Sequence, residues 1–185
     1  MGLQTEYSKA NLCCFLFQLF KGSSQDIDMN VEFVNPFLSS LVNVISTMAM
    51  LELKPLKPRL KKDEVARGDV SGLIGMVGPQ TKGSFSVSFE EGLALEIMSR
   101  MLGEKPDGIN EEVTDMVGEI TNMVTGGAKK LLAEKGYDFD MATPMVVSGK
   151  GHTITHKSDG PIVIMPFEAE SGSAHIEICF DKVAN

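Results

Sequence analysis

Cysteine is scarce and poorly placed for bridging. The chain has three, Cys13, Cys14 and Cys179; two are adjacent and no C-x-x-C pair exists. That spacing argues against a disulfide framework and a cysteine-ligated zinc site, and it fits a reducing compartment such as the cytoplasm. Basic residues are short as well: 17 Lys and Arg against 25 Asp and Glu leave a net charge of -8. Phosphate backbones and anionic lipid surfaces would be repelled, so neither nucleic acid nor a membrane is expected as partner. A phosphoprotein that brings its own cations remains compatible. Long apolar runs are missing too. LCCFLFQLF at 12–20 falls far below the roughly 20 residues of a membrane span, and Glu6 offsets Lys9 where a secretory signal would be positive. Phosphate-binding and nucleophile-elbow glycine motifs are absent. His152 and His156 are four apart, but the glycines, threonines and isoleucine around them read as extended chain. Four residues of strand span roughly 13 Å, too far for one metal ion.

What is present reads as one domain with an appendage. Residues 1–28 form an N-terminal extension, broken by GSSQD from a new start at Met29. It is either an upstream start or a helix that docks on the body or on a second subunit. Residues 29–185 are expected to form a single domain. Apolar residues recur at helical spacing from Phe33 to about Leu51, with Asn35 and Pro36 as the expected helix start. Leu73–Val77 and Ser84–Phe89 read as strands joined through Gly78, Pro79 and Gly83. A short helix is expected from about Gly92 to Leu102, ended by Gly103. A long one runs from Glu111 to about Glu134, with Asn110 as N-cap and Gly136 closing it. Pro144–Ser148, Pro161–Pro166 and Ala174–Phe180 complete the extended segments.

The two halves repeat this order of helix, strands and hairpin. Setting Asn43 over Glu119, an offset of 76, pairs Ser39 with Asp115 and Ser46 with Asn122. A weak duplication follows, with an acidic residue at that position only in the second half. On a helical wheel of the long helix, Val117, Ile120, Val124 and Leu131 fall within about 40° of Val113, a stripe that reads as core. Asp115, Glu119, Asn122 and Gly126 fall at about 180–240°, a polar patch facing away. Glu119 and Asn122, at i and i+3, project side by side. Gly118, Thr121, Thr125 and Gly126 are small and are expected to keep the surface low for an approaching protein. A solvated helix face is the plain alternative. Against it, Asn is a poor mid-helix residue, and consecutive Gly126 and Gly127 cost roughly another kcal/mol or more.

The run DMVGEITNMVTGGAK, with D-x-x-x-E-x-x-N at Asp115, Glu119 and Asn122, resembles the signature of the CheC, CheX and FliY phosphatases. MNVEFVNPFLSSLVNVISTM resembles the first helix of the CheX branch, and the likeness covers about Met29 to the C-terminus. Asn43 and Ser46 stand where a first site would carry Glu and Asn, which fits the single-site CheX branch. One departure is a proline that follows Asn122 apparently one residue early, at Pro144.

The resemblance implies an α+β fold of two pseudo-symmetric halves, with long helices packed on an extended, mainly antiparallel sheet. It implies a phosphatase acting on the aspartyl phosphate of a CheY-like response regulator in chemotaxis signalling. Asn122 would orient the attacking water, and Glu119 would pair with the partner's active-site lysine; Asp115 would support Glu119, and Gly126 would leave room for docking. No cofactor is implied on this chain, while Mg²⁺ is expected on the partner receiver domain. Homodimerisation through a sheet edge is also implied, with Ile162–Met165 or Ala174–Phe180 as candidate edges. The rival reading is a non-catalytic receiver-binding or flagellar-switch-like module of the same fold.

Overall fold

Alternation in four strands sorts the chain into two layers. The computed structural model describes residues 31–79 and 82–181; the extension at 1–28, with Cys13 and Cys14, lies outside the described residues. Helix α1 spans Val31–Ala49, α2 Glu91–Leu102 and α3 Glu111–Ala133. The strands are β1 Lys54–Pro55, β2 Arg59–Leu60, β3 Val70–Val77, β4 Lys82–Phe89, β5 Asp140–Met141, β6 Met145–Ser148, β7 Ile162–Ala169 and β8 Gly172–Phe180. They form one sheet in the order β1-β7-β8-β4-β3-β5, with β2 also on β7 and β6 also on β3, and every pairing is antiparallel. The α+β architecture expected from the sequence is the one observed.

The order reads the same from either end once halves are exchanged. The register repeats as well: Ile74↔Phe85 in the first hairpin maps onto Met165↔Ile176 in the second, 91 positions on. The same shift carries Ser86 onto its own cross-strand partner Glu177, so the pseudo-dyad passes through that pair. The short strands are exchanged, because β1 and β2 of the first half pair with β7 while β5 and β6 of the second pair with β3. In the helices the offset of 76 holds for burial. Phe37 and Val113, Leu41 and Val117, and Val44 and Ile120 are buried, whereas Asn43 and Glu119, and Ser46 and Asn122, are exposed.

One sheet face makes the main core. Ile74, Met76, Phe85, Val87, Phe89, Met165, Phe167, Ile176 and Ile178 pack with the apolar stripes of the three helices. The opposite face carries Ser71, Ser84, Ser86, Ser88, His175 and Glu177, and it is not open to water. Segments 61–69 and 149–160 cross it and meet through Val65↔Thr153 and the Ala66 N–H to His152 O bond. Several polar side chains beneath them bond in two groups, while Ser86 Oγ and His175 Nδ1 find no partner among the described residues. His152 Nδ1–H donates to Gly149 O (2.6 Å), while Nε2 meets Ser71 Oγ (2.7 Å), itself bonded to Ser88 Oγ (2.6 Å). His156 bridges Glu177 Oε2 through Nε2 (3.2 Å) and Ser84 Oγ through Nδ1 (2.7 Å), and Lys61 Nζ donates to Glu177 Oε1 (2.6 Å). A buried carboxylate is tolerable only with such partners.

Four expectations are corrected. Helix α1 begins at Val31, one turn before Asn35, so Pro36 lies inside it. Pro36 stands past the first turn and forfeits the intrahelical bond its N–H would otherwise make to the carbonyl four residues earlier. The segment around His152 and His156 is loop rather than strand, and each ring takes its own partners. Ala174–Phe180 is central, between β7 and β4, and Ile162–Met165 is covered by β2. The outer positions go instead to the short strands: β6, within the extended segment Pro144–Ser148, and the two-residue β1, β2 and β5, which periodicity cannot detect. Leu131, placed in the core stripe, is 37% exposed, while Thr121, Thr125, Ala128 and Leu132 are buried. Helix α3 packs against both the sheet and α1, so its buried arc is wider than one stripe and turns along its length.

Candidate functional site

Helix α3 starts where its sequence says it should. Asn110 Oδ1 accepts the Val113 N–H at 3.0 Å, and Glu111 and Glu112 occupy the first turn, where the helix dipole favours acids. Past Ala133 the chain turns at Gly136, whose φ of 87° is a conformation that suits glycine. The proline departure therefore falls in the connection between β5 and β6, well beyond the helix.

Between these ends, Asp115, Glu119 and Asn122 are exposed and lie along one face, with Gly126 half-exposed in line with them. The structure thus brings together all four residues singled out from the sequence. At i and i+3, the Glu119 and Asn122 side chains leave the helix about 5–6 Å apart at Cβ. Among the described residues, none bonds to Asp115, Glu119 or Asn122. Their acceptors and donors are therefore available to groups that a second molecule brings. An unpaired exposed carboxylate beside a carboxamide offers a charge for a cation and a donor–acceptor pair that can orient water.

The surroundings differ from the sequence-based picture in one respect. Gly126 has no atom within 4 Å of where a Cβ would stand, so it does leave the surface low. Thr121 and Thr125, however, are fully buried beneath the site. Gly127 is also explained by packing, since its Cβ would lie 2.7 Å from Ser40 Oγ on α1. Gly118 approaches β6, with Val146 Cγ2 3.4 Å from its missing Cβ. Met123, 42% exposed beside Asn122, adds an apolar rim that the sequence reading did not single out. The same helical wheel would have found it, since it falls outside the core stripe next to the polar patch.

Elsewhere no comparable group stands out. The shallow depression at the N-terminus of α2 is lined by Arg67, Asp69, Glu90, Glu91 and nearby glycines, and contains none of the α3 patch. Among the described residues no three histidine, cysteine or acidic side chains converge as metal ligands, and no helix is long and apolar enough to cross a membrane.

Comparison with known proteins agrees on one family. The sequence model of the family described as chemotaxis phosphatase CheX matches residues 70–168. The CheY-P phosphatase CheX of Thermotoga maritima is 29% identical over 154 residues, 81% of this chain and 97% of that protein. The crystal structure of chemotaxis protein CheX from Vibrio vulnificus is 76% identical, covering 81% of this chain and 99% of that one, with a TM-score of 0.78. In Borrelia burgdorferi, a CheX solved as a complex with CheY, BeF3 and Mg²⁺ is 25% identical, covering 81% of this chain and 98% of that one at a TM-score of 0.69.

Proposed function

Since the chain belongs to the chemotaxis phosphatase CheX family, we propose that it hydrolyses the aspartyl phosphate of a CheY-like response regulator, with Glu119 and Asn122 as the acting pair. The observation that carries the residue assignment is the exposed, unbonded carboxylate–carboxamide pair on α3. An aspartyl phosphate is an activated acyl phosphate. Its hydrolysis calls for an in-line water and for stabilised equatorial oxygens. The receiver domain supplies the second requirement with its own Mg²⁺ and lysine, so no residue of this chain is asked to hold a metal. Asn122 supplies the first: its carboxamide can accept one water proton and donate to another acceptor, which fixes the water's direction. Glu119 pairs with the partner lysine, which anchors α3 and sets the angle of Asn122. Asp115, one turn before Glu119, supports the docked edge, and Gly126 lets the partner's backbone come close.

Residues 29–185 act as one domain in this reading, and the work is done in the cytoplasm, where a response regulator would be met. The protein acts as a homodimer through β6. The two sheet margins differ: Lys54, Pro55 and Arg59 guard β1 and β2 with charge and proline, the usual protection of an edge. On β6, by contrast, Met145 and Val147 are 63% and 44% exposed.

The direct test follows decay of a phosphorylated CheY-type regulator with and without the protein. Wild type should accelerate decay, and Asn122→Ala should keep binding while losing about two to three orders of magnitude in turnover. Glu119→Ala should weaken binding as well, because a desolvated charge pair is lost. Full activity in either variant would overturn the residue assignment. No acceleration by wild type with several regulators would leave a non-catalytic binding module.

A further inference from the structure

Helix α3 meets β3 at an unusually close seat. Gly72 of β3 faces Thr121, and a Cβ on Gly72 would overlap Thr121 Oγ1 and stand 3.0 Å from Thr121 Cβ. Thr121 is fully buried, and its hydroxyl donates to Val117 O at 2.6 Å. One turn on, Thr125 is also fully buried and donates to Thr121 O at 2.8 Å. A threonine hydroxyl that shares the i−4 carbonyl with the helix's own N–H loosens that rung and bends the helix. Two such bonds in succession cover residues 117–125. Glu119 and Asn122 stand on the outer side of that same stretch.

The first half of the molecule provides an internal control. At the helix offset of 76, Thr121 and Thr125 correspond to Ile45 and Ala49; at the strand offset of 91, Gly72 corresponds to Val163. All three counterparts are buried and none has a hydroxyl. The architecture is therefore built without this seat in the half that lacks the acid–amide pair. It is present only in the half that carries the pair.

We propose that Thr121, seated over Gly72, and Thr125, one turn on, are positioning residues for the phosphatase reaction, setting the local curvature of α3 and with it the relative direction of Glu119 and Asn122. The inference rests on the assignment of those two residues above. Neither threonine touches the partner; each acts through the helix backbone. The reason that curvature matters is that Glu119 anchors to one point of the receiver while Asn122 must place a water at another. An error of about 1 Å between the two can cost on the order of 100-fold in rate.

The test measures dephosphorylation against receiver concentration, so that kcat and KM separate, for Thr121→Ser, Thr121→Val and Thr121→Ala, with thermal unfolding alongside. Thr121→Ser keeps the hydroxyl and should stay within about twofold of wild type in kcat. The Val and Ala variants should lose about tenfold or more in kcat with little change in KM, whatever their unfolding temperature. The proposal fails if Thr121→Val or Thr121→Ala keeps wild-type kcat, or if Thr121→Ser loses as much as they do. Should Thr121→Val not fold, Thr125→Ser against Thr125→Ala puts the same question one turn later. A wild-type protein without activity, or Asn122→Ala with full activity, would instead defeat the functional reading and this proposal together.

Discussion

Two kinds of polar residue carry this protein's behaviour, and burial separates them. Glu119 and Asn122 are exposed and unbonded, so substituting them should change chemistry more than stability. His175 is the opposite case. It faces the covered side of the sheet, where burial above all, then Arg59, holds its pKa below the ordinary value; Glu90 and Glu177 pull upward, and Arg67 adds to the depression. Between its folded pKa and 6.5 the unfolded chain binds more protons than the native one. Stability should therefore be complete above about pH 6.5 and decline as pH falls through that value toward the folded pKa. Urea titrations between pH 7.5 and 5 on wild type and His175→Gln should show a shallower acid decline in the variant. Parallel declines would remove His175 as a source of the acid sensitivity.

Within α3, adjacent glycines have different reasons. A helix interior glycine costs about 1 kcal/mol relative to alanine, so a pair invites an explanation for each. Gly126 opens onto solvent with nothing near its Cβ, whereas Gly127 lies against Ser40 of α1. Gly126→Ala should raise stability by about 1 kcal/mol and still weaken receiver binding, because the methyl stands on the docking face. Gly127→Ala should gain less or lose, since Ser40 must move. Chemical denaturation of the two variants decides it, and equal gains would show that α1 gives way without cost. The sequence raised the question by placing both glycines mid-helix. It could not say which one packed, because that depends on where α1 crosses.

Over the whole molecule, the pseudo-dyad relates the half that carries the proposed acid–amide pair to the half that lacks it. Duplication supplies two helices with matching buried and exposed positions, and the outward pair is free to differ: Asn43 and Ser46 on α1, Glu119 and Asn122 on α3. The same symmetry puts short strands at both margins of the sheet, and apolar exposure is greatest on β6, where Met145 and Val147 are 63% and 44% exposed against 42% for Leu60 of β2. If the proposed dimer forms through β6, Met145→Asp with Val147→Asp should leave a monomer in sedimentation experiments with the fold intact. A wild-type monomer at high concentration, or a double variant that remains dimeric, would exclude β6 as the interface.

The long elements and the polar face of α3 were legible from the sequence alone. Helical and strand periodicities of many turns, an Asn cap, terminal glycines and a 76-residue offset are local or repetitive signals. They depend on which way successive side chains point and need no knowledge of the neighbours. The resemblance carried by DMVGEITNMVTGGAK then added a role to a face that periodicity could only call polar. Tertiary structure decided the rest. Ser84, Ser86 and Ser88 alternate with aromatic and aliphatic residues in a pattern that reads as one buried face, yet both faces are covered, because two loops fold over the second. The two-residue strands β1, β2 and β5 have no period to detect, and the extended reading of Pro144–Ser148 could not say that β6 pairs with the other half. Thr121 reads as a small surface residue until Gly72, some 50 positions away in sequence, is placed beneath it. Contacts between distant segments are set by how close two backbones can come, and that distance is not encoded in either segment by itself.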